Sequence, residues 1–140
     1  MRGVIELGKP LKVLMIEDSD DDAHLIAGEL RHGGFDVEYS RVDTSSVLED
    51  ALTKGSWDVI LCDHAMPKLC APEAVGILRR NRIKTPVIIV SGWITKDLAK
   101  ATVEAGANDY VSKNELHKLV GIINKELGQS AAKKVNKKKK

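Results

Sequence analysis

Three acidic residues, a serine and a lysine each follow a short apolar segment and could together perform phosphoryl chemistry. In chain order they are Glu17, Asp18, Asp63, Ser91 and Lys113. Carboxylates held a few ångströms apart repel each other by about 4 kcal/mol per pair at an effective dielectric constant near 20, so they require a compensating cation. One lysine offsets part of this charge, and oxygen ligands with room for water suit Mg²⁺ better than zinc. Beside such an ion, Asp63 could attack a phosphoryl group and become an acyl phosphate.

These residues can meet only if the apolar segments before them are neighbouring parallel strands. The pattern predicts five strands, at Leu11 to Ile16, Phe35 to Tyr39, Trp57 to Cys62, Val87 to Val90 and Asp109 to Ser112. The first, third and fourth are continuously apolar, which is typical of central strands. The second alternates apolar and polar residues, which places it at an edge.

Helical signals alternate with the strands. One helix follows the N-cap Ser19 and ends at Gly33-Gly34; the others are predicted from Thr44 to Lys54, from Pro72 to about Arg82, from Thr95 to Ala105 and from Asn114 to Leu127. Strict alternation predicts a single α/β domain, a flavodoxin-like doubly wound sheet with five helices and strand order 2-1-3-4-5. In this fold, ligands bind outside the carboxyl ends of the strands, where the five candidate residues lie.

The motifs, taken together, resemble the signature of the response-regulator receiver domain of two-component signalling. They are Glu17-Asp18, Asp63 followed by Met66-Pro67, Ser91-Gly92 and the segment AGANDYVSK that ends at Lys113. They occur in the right order over residues 11 to 128, each on the expected element.

The resemblance implies a role for each site residue. Asp63 would be the phosphoacceptor and a metal ligand, Asp18 a second metal ligand, and Glu17 an acidic partner that acts mostly through metal-bound water. The carbonyl of Ala65 would be the third protein ligand for the metal. Further from the metal, Ser91 would be the switch hydroxyl, Tyr110 the aromatic residue that turns inward with it, and Lys113 the phosphoryl-binding lysine. Read from the residues alone, Tyr110 fits a core position equally well.

The chain also departs from the family pattern. Cys70-Ala71 stands where the family often has Asp-Gly, and Asn114 stands where it usually has a proline preceded by a cis bond. Because a cis bond before a non-proline residue costs about 2.5 to 4 kcal/mol, we expect a trans bond or an altered loop. Ala65 and Trp93 follow the phosphoacceptor and the switch serine by two residues. Both orient water poorly, which predicts slow self-dephosphorylation.

The resemblance implies a signalling switch more than an enzyme. Its partners would be a histidine kinase or histidine phosphotransfer protein, and a downstream output domain or protein reached through the fourth helix, fifth strand and fifth helix. Three alternatives stay open. A phosphohydrolase would lack its second carboxylate, since that position is Ala65. A binding module without phosphorylation is suggested by Cys70-Ala71 and Asn114. A flavin carrier would need a Gly/Ser/Thr-rich loop after the first strand, which is missing.

Composition limits the remaining possibilities. The 140 residues are 43% apolar and 30% charged, with no apolar run near the roughly 20 residues of a membrane span and no secretory signal, so we expect a cytoplasmic protein without membrane contact. The two cysteines, Cys62 and Cys70, fit a core residue and a loop thiol.

Six of the 22 basic residues lie in the last eight positions, and without these six the chain has 16 basic and 20 acidic residues. Nucleic acid is therefore not an expected partner. We predict an N-terminal extension (1–10), the domain (11–128) and a disordered lysine-rich tail or linker (129–140).

Overall fold

The computed structural model describes residues 8–64, 66, 68–92 and 95–128. Within them, five parallel strands pair in the order β2-β1-β3-β4-β5. The strands are β1 (Lys9–Ile16), β2 (Phe35–Val42), β3 (Val59–Cys62), β4 (Val87–Ser91) and β5 (Asp109–Ser112). The predicted fold class and strand order are confirmed.

Helices cover both faces of this sheet. They are α1 (Asp20–His32), α2 (Ser45–Lys54), α3 (Ala71–Arg80), α4 (Lys96–Glu104) and α5 (119–128). The predicted N-cap Ser19 is confirmed, and Thr44 and Thr95, where two helices were predicted to begin, are the N-caps of α2 and α4. The side chain of each accepts a hydrogen bond from a backbone N–H in the first turn of the helix that follows. Gly33 ends α1, and Gly34 follows with a φ of +101°, a conformation that favours glycine.

Some boundaries differ from the prediction. Strand β2 extends to Val42 because it pairs with β1 along all eight residues. Helix α3 ends at Arg80, and Arg82 then adopts a left-handed backbone with φ of 60°.

The last predicted helix, Asn114 to Leu127, is the larger discrepancy. Residues Lys113–Lys118 form a 3-10 segment, and the regular α-helix begins at 119. The Ser112 hydroxyl accepts a hydrogen bond from the Asn114 N–H at 3.1 Å, which starts a tight turn, and Glu115 has non-helical angles. No peptide bond in the described segments is cis, so the bond before Asn114 is trans as expected.

The core lies in two layers, one on each face of the sheet. One layer packs α1 and α5 against the sheet, and the other packs α2 and α3 against the opposite face. Every residue of β3 and β4 is buried, as expected for central strands, whereas β2 alternates buried and exposed residues over most of its length. This arrangement brings the carboxyl ends of β1, β3, β4 and β5 to one edge of the sheet.

Neither cysteine forms a disulfide bond. Cys62 is buried and Cys70 is exposed, which confirms the predicted core residue and loop thiol. Over the described ranges, every helix is too short or too polar to cross a membrane.

Candidate functional site

Three carboxylates converge at the carboxyl edge of the sheet. Glu17 and Asp18 follow β1 and Asp63 follows β3, and one oxygen from each lies within 4.8 Å of the other two. Glu17 is 2% exposed and Asp63 8% exposed, whereas Asp18 is exposed to solvent. The structure therefore brings together the three acidic side chains predicted from the sequence.

The backbone of the strands fixes these residues in place. The Asp63 N–H donates to the carbonyl of Ile16 at 2.8 Å, and the Glu17 N–H donates to the carbonyl of Val42 at 2.9 Å. The Glu17 side chain also accepts a hydrogen bond from the Ser19 N–H at 3.1 Å. The backbone hydrogen bonds between β1 and its two neighbouring strands thus continue into the site. These hydrogen bonds hold the acidic residues close together despite their repulsion.

Lys113 reaches the same cluster from the end of β5. Its Nζ atom lies 2.8 Å from Glu17 Oε1, 2.6 Å from Asp22 Oδ2 and 3.2 Å from Asp63 Oδ2, and its side chain is 18% exposed. The contacts with Glu17 and Asp63 confirm that Lys113 offsets charge in the acidic cluster. Asp22 was missed as a site residue, although it lies one helical turn after Asp18 in the run EDSDDD.

The pKa values reflect burial and an excess of negative charge. The pKa of Glu17 is raised to about 7, mainly by burial and also by the nearby charge of Asp63, against the lowering effect of hydrogen bonds from Lys113 and Ser19. Burial lowers the pKa of Lys113, but hydrogen bonds to Asp22 and Glu17 and the charge of Asp63 outweigh it, so the pKa rises. The raised pKa of Lys113 indicates that the surrounding carboxylates keep its ammonium group charged.

A second cation, Arg41, lies at the end of β2 and was not predicted. Its guanidinium donates to the backbone carbonyl of Glu17 at 3.1 Å and pairs with Asp20 at 3.5 Å and Asp43 at 3.6 Å. Since carbonyl partners leave no pattern in the sequence, no motif could have indicated this contact. Arg41 therefore connects the loop after β1 to the edge strand β2.

The predicted switch residues lie on the last two strands of the sheet, Ser91 on β4 and Tyr110 on β5. Ser91 is 1% exposed at the end of β4, where it pairs in register with Ser112. Tyr110 is 44% exposed on β5, so it is not a core residue in this structure and has not turned inward. Ala65, the predicted third metal ligand, lies outside the described residues, as do Pro67 and Trp93.

The donor set suits a hard divalent cation. Glu17, Asp18 and Asp63 offer only carboxylate oxygens, and burial of two of them makes their charge costly without a partner ion. These residues therefore fit Mg²⁺. The same Asp63 carboxylate has the chemistry of a nucleophile, with Lys113 placed to donate to oxygens that gather around it.

Comparison with known proteins places the chain in a family. Residues 13–124 match the family model described as response regulator receiver domain. The chain is 30% identical over 122 residues to the Bacillus subtilis transcriptional regulatory protein YkoG, covering 86% of this chain and 53% of that protein. It is 32% identical over 106 residues to the cell cycle transcriptional regulator CtrA of Caulobacter vibrioides, covering 74% and 44%. The chain thus spans about half the length of these relatives.

Solved structures of receiver domains have the same fold as this chain. The receiver domain of the Francisella response regulator 1452 has a TM-score of 0.74 at 25% identity, covering 86% of this chain and 98% of that one. The receiver domain of the Pseudomonas aeruginosa sensor histidine kinase PA1611, which has a magnesium ion in its active site cleft, has a TM-score of 0.71 at 23% identity, covering 85% and 98%, and shows the fold alone. The chain belongs to the family of response regulator receiver domains.

Proposed function

We propose that this domain accepts a phosphoryl group on Asp63 in a Mg²⁺-dependent reaction. One observation carries the proposal: Asp63 Oδ2 lies 3.2 Å from Lys113 Nζ, and the same carboxylate belongs to the cluster with Glu17 and Asp18. A nucleophile, a donor for phosphoryl oxygens and a set of metal ligands thus meet at one edge of the sheet. The donor would be a phosphohistidine on a partner kinase or phosphotransfer protein.

Each residue of the site has a separate role in the proposed phosphoryl transfer. An oxygen of Asp63 forms a bond to phosphorus while the bond from phosphorus to the imidazole nitrogen breaks, and the imidazole takes up one proton. Lys113 donates to a phosphoryl oxygen and offsets its charge. Asp18, Asp63 and the carbonyl of Ala65 would hold Mg²⁺, with Glu17 acting mostly through metal-bound water. When bound, this ion supplies positive charge against the transferred oxygens.

The switching surface is proposed to be α4, β5 and α5. Ser91 would donate to the phosphoryl group, and it pairs in register with Ser112 on β5. Tyr110 lies on the same strand with its side chain 44% exposed, so an inward turn would change the surface of β5. A downstream output domain or protein would recognise that change. Because Ala65 and Trp93 orient water poorly, we expect the phosphoryl group to be lost slowly.

The alternatives are less well supported. A phosphohydrolase would need a second carboxylate at position 65, where the chain has alanine. A module without phosphorylation is suggested by Asn114 after the lysine, yet the trans bond there leaves Lys113 in contact with Asp63. A test for turnover of a phosphoester distinguishes the first alternative from a one-time modification.

The direct experiment is mass spectrometry of the intact protein after incubation with Mg²⁺ and acetyl phosphate. We expect one added phosphoryl group in the wild type and in Asp21→Asn, which removes an exposed carboxylate near the site, and none in Asp63→Asn. Chelation of Mg²⁺ should also prevent the modification. An unmodified wild type, or a modified Asp63→Asn variant, would rule out the proposal.

A further inference from the structure

The first turn of α1 contains three aspartates with different surroundings. Asp20 pairs with Arg41 at 3.5 Å, and its side chain is 79% exposed. Asp21 is exposed. Asp22 contacts Lys113 Nζ at 2.6 Å, and its side chain is 37% exposed. All three complement the positive end of the helix dipole, but Asp22 also reaches the site.

Asp22 has the shortest contact with Lys113. The distance from Nζ to Asp22 is 2.6 Å, compared with 3.2 Å to Asp63. Asp22 is also not one of the three acids whose oxygens could hold a cation together. Its carboxylate therefore acts on the site through the lysine.

A lysine ammonium group has three N–H donors. In this structure three carboxylates, those of Glu17, Asp22 and Asp63, lie within hydrogen-bond distance of Nζ. A phosphoryl group on Asp63 takes over that residue's own contact with Lys113 and brings further anionic oxygens, so Lys113 can donate to a second of them only by weakening its contact with Glu17 or Asp22. Glu17 is buried and belongs to the proposed metal cluster, whereas Asp22 lies at the outer side of the pocket and can be solvated by water when it is released.

We propose that Asp22 is a positioning residue: it holds Lys113 in the unmodified protein and competes with the phosphoryl group for its ammonium. This inference rests on the proposed function. Asp22 is then the counter-ion of Lys113 in the unmodified protein, and release of Asp22 is part of the response to phosphorylation. The phosphoryl group is then held less tightly than it would be without Asp22.

The test uses beryllofluoride, a mimic of the phosphoryl group, and isothermal titration calorimetry at saturating Mg²⁺. Asp22→Asn should bind beryllofluoride about threefold to tenfold more tightly than the wild type, because Lys113 is no longer shared with a third carboxylate. Asp21→Asn removes the same charge from the same helical turn without a contact to the lysine, and should change the affinity by less than about twofold. Asp22→Glu keeps the charge and should bind like the wild type.

Each outcome decides between the function and the inference. If the wild type binds no beryllofluoride, both fail. If the wild type binds and Asp22→Asn binds equally or more weakly, the domain still accepts phosphoryl mimics, but Asp22 does not compete for Lys113. If Asp21→Asn tightens binding as much as Asp22→Asn, general charge explains the effect and the inference fails. Urea unfolding of each variant identifies a change in stability, which a purely structural role would produce without a gain in affinity.

Discussion

A cation lies at each end of the parallel sheet, and the two cations have opposite surroundings. At the carboxyl end, Lys113 contacts three carboxylates. At the amino end, Arg79 donates to neutral oxygens: the carbonyls of Ile83 at 2.6 Å, Thr85 at 3.3 Å and Gly106 at 2.7 Å, and the side-chain oxygen of Asn108 at 3.2 Å. The pKa values differ accordingly. Burial lowers the pKa of Arg79, whereas the carboxylates outweigh burial and raise that of Lys113.

The difference separates a structural cation from the cation of the proposed phosphorylation site. Arg79 donates hydrogen bonds to backbone carbonyls of the loops before β4 and β5. These carbonyls carry no net charge that another ligand could offset. Lys113 offsets part of a negative charge that a metal ion could offset as well. We therefore expect loss of Arg79 to reduce stability under all conditions, and loss of Lys113 to reduce stability in a way that depends on Mg²⁺.

The largest effect on stability is expected for Arg79→Met. This change leaves several carbonyl oxygens without a donor, and should lower the free energy of unfolding by about 2 to 3 kcal/mol. Mg²⁺ should not restore the loss, because the proposed metal site lies at the other end of the sheet. Urea unfolding with and without Mg²⁺ measures both quantities.

The matched control for this change is Arg80→Met. Arg80 is the next residue of α3 and is exposed, so its loss should change stability by less than about 0.5 kcal/mol. Equal losses in the two variants would show that general charge at the end of α3, not the contacts of Arg79, stabilises the amino end.

The same comparison explains which parts of the site were predictable. Glu17, Asp18 and Asp63 were predicted because each directly follows an apolar strand, and parallel pairing brings strand ends together. Arg79 could not be assigned a role in this way, since its partners are mainly backbone carbonyls, which any residue carries. Asp22 was not predicted as a site residue, because its contact with Lys113 depends on how α1 packs relative to the end of β5.

The fold followed from patterns that are local in the sequence, and the main discrepancy arose where a side-chain hydrogen bond within one turn overrides the helical pattern. Apolar residues continue at helical spacing from Leu116 to Leu127, which predicted one helix. The hydrogen bond from the Asn114 N–H to Ser112 instead produces a 3-10 segment before α5. Periodicity reports which side of a segment is buried but does not distinguish the first tight turn from the α-helix that follows.

A smaller loss of stability, conditional on the metal, is expected for Lys113→Met. Without Mg²⁺ the acidic residues of the pocket lose their ammonium partner, which should lower the free energy of unfolding by about 1 to 3 kcal/mol. Millimolar Mg²⁺ should stabilise this variant more than it stabilises the wild type, because binding of the ion relieves a larger excess of negative charge. Phosphorylation by acetyl phosphate should be slower by about 100-fold.

Lys118→Met is the control for that variant. Lys118 lies in the same 3-10 segment and pairs at the surface with Glu115 at 2.7 Å, so its loss should leave Mg²⁺ binding and phosphorylation unchanged. If Mg²⁺ stabilises Lys113→Met no more than the wild type, the lysine and the metal do not share the charge of one pocket, and the contrast with Arg79 fails.

The smallest effect on stability is expected for Asp18→Asn, which sharpens the comparison from the metal side. Asp18 is exposed and lies in the cluster with Glu17 and Asp63, so its charge costs the unliganded protein little. The free energy of unfolding without Mg²⁺ should change by less than about 0.5 kcal/mol. Mg²⁺ affinity, measured by calorimetry, should fall at least about tenfold because a carboxylate ligand is lost, whereas Asp21→Asn should retain it. An unchanged affinity would mean that the ion, if it binds, does not use the three converging carboxylates. A fall in affinity without a fall in stability would show that Asp18 contributes to metal binding and not to the stability of the unliganded domain.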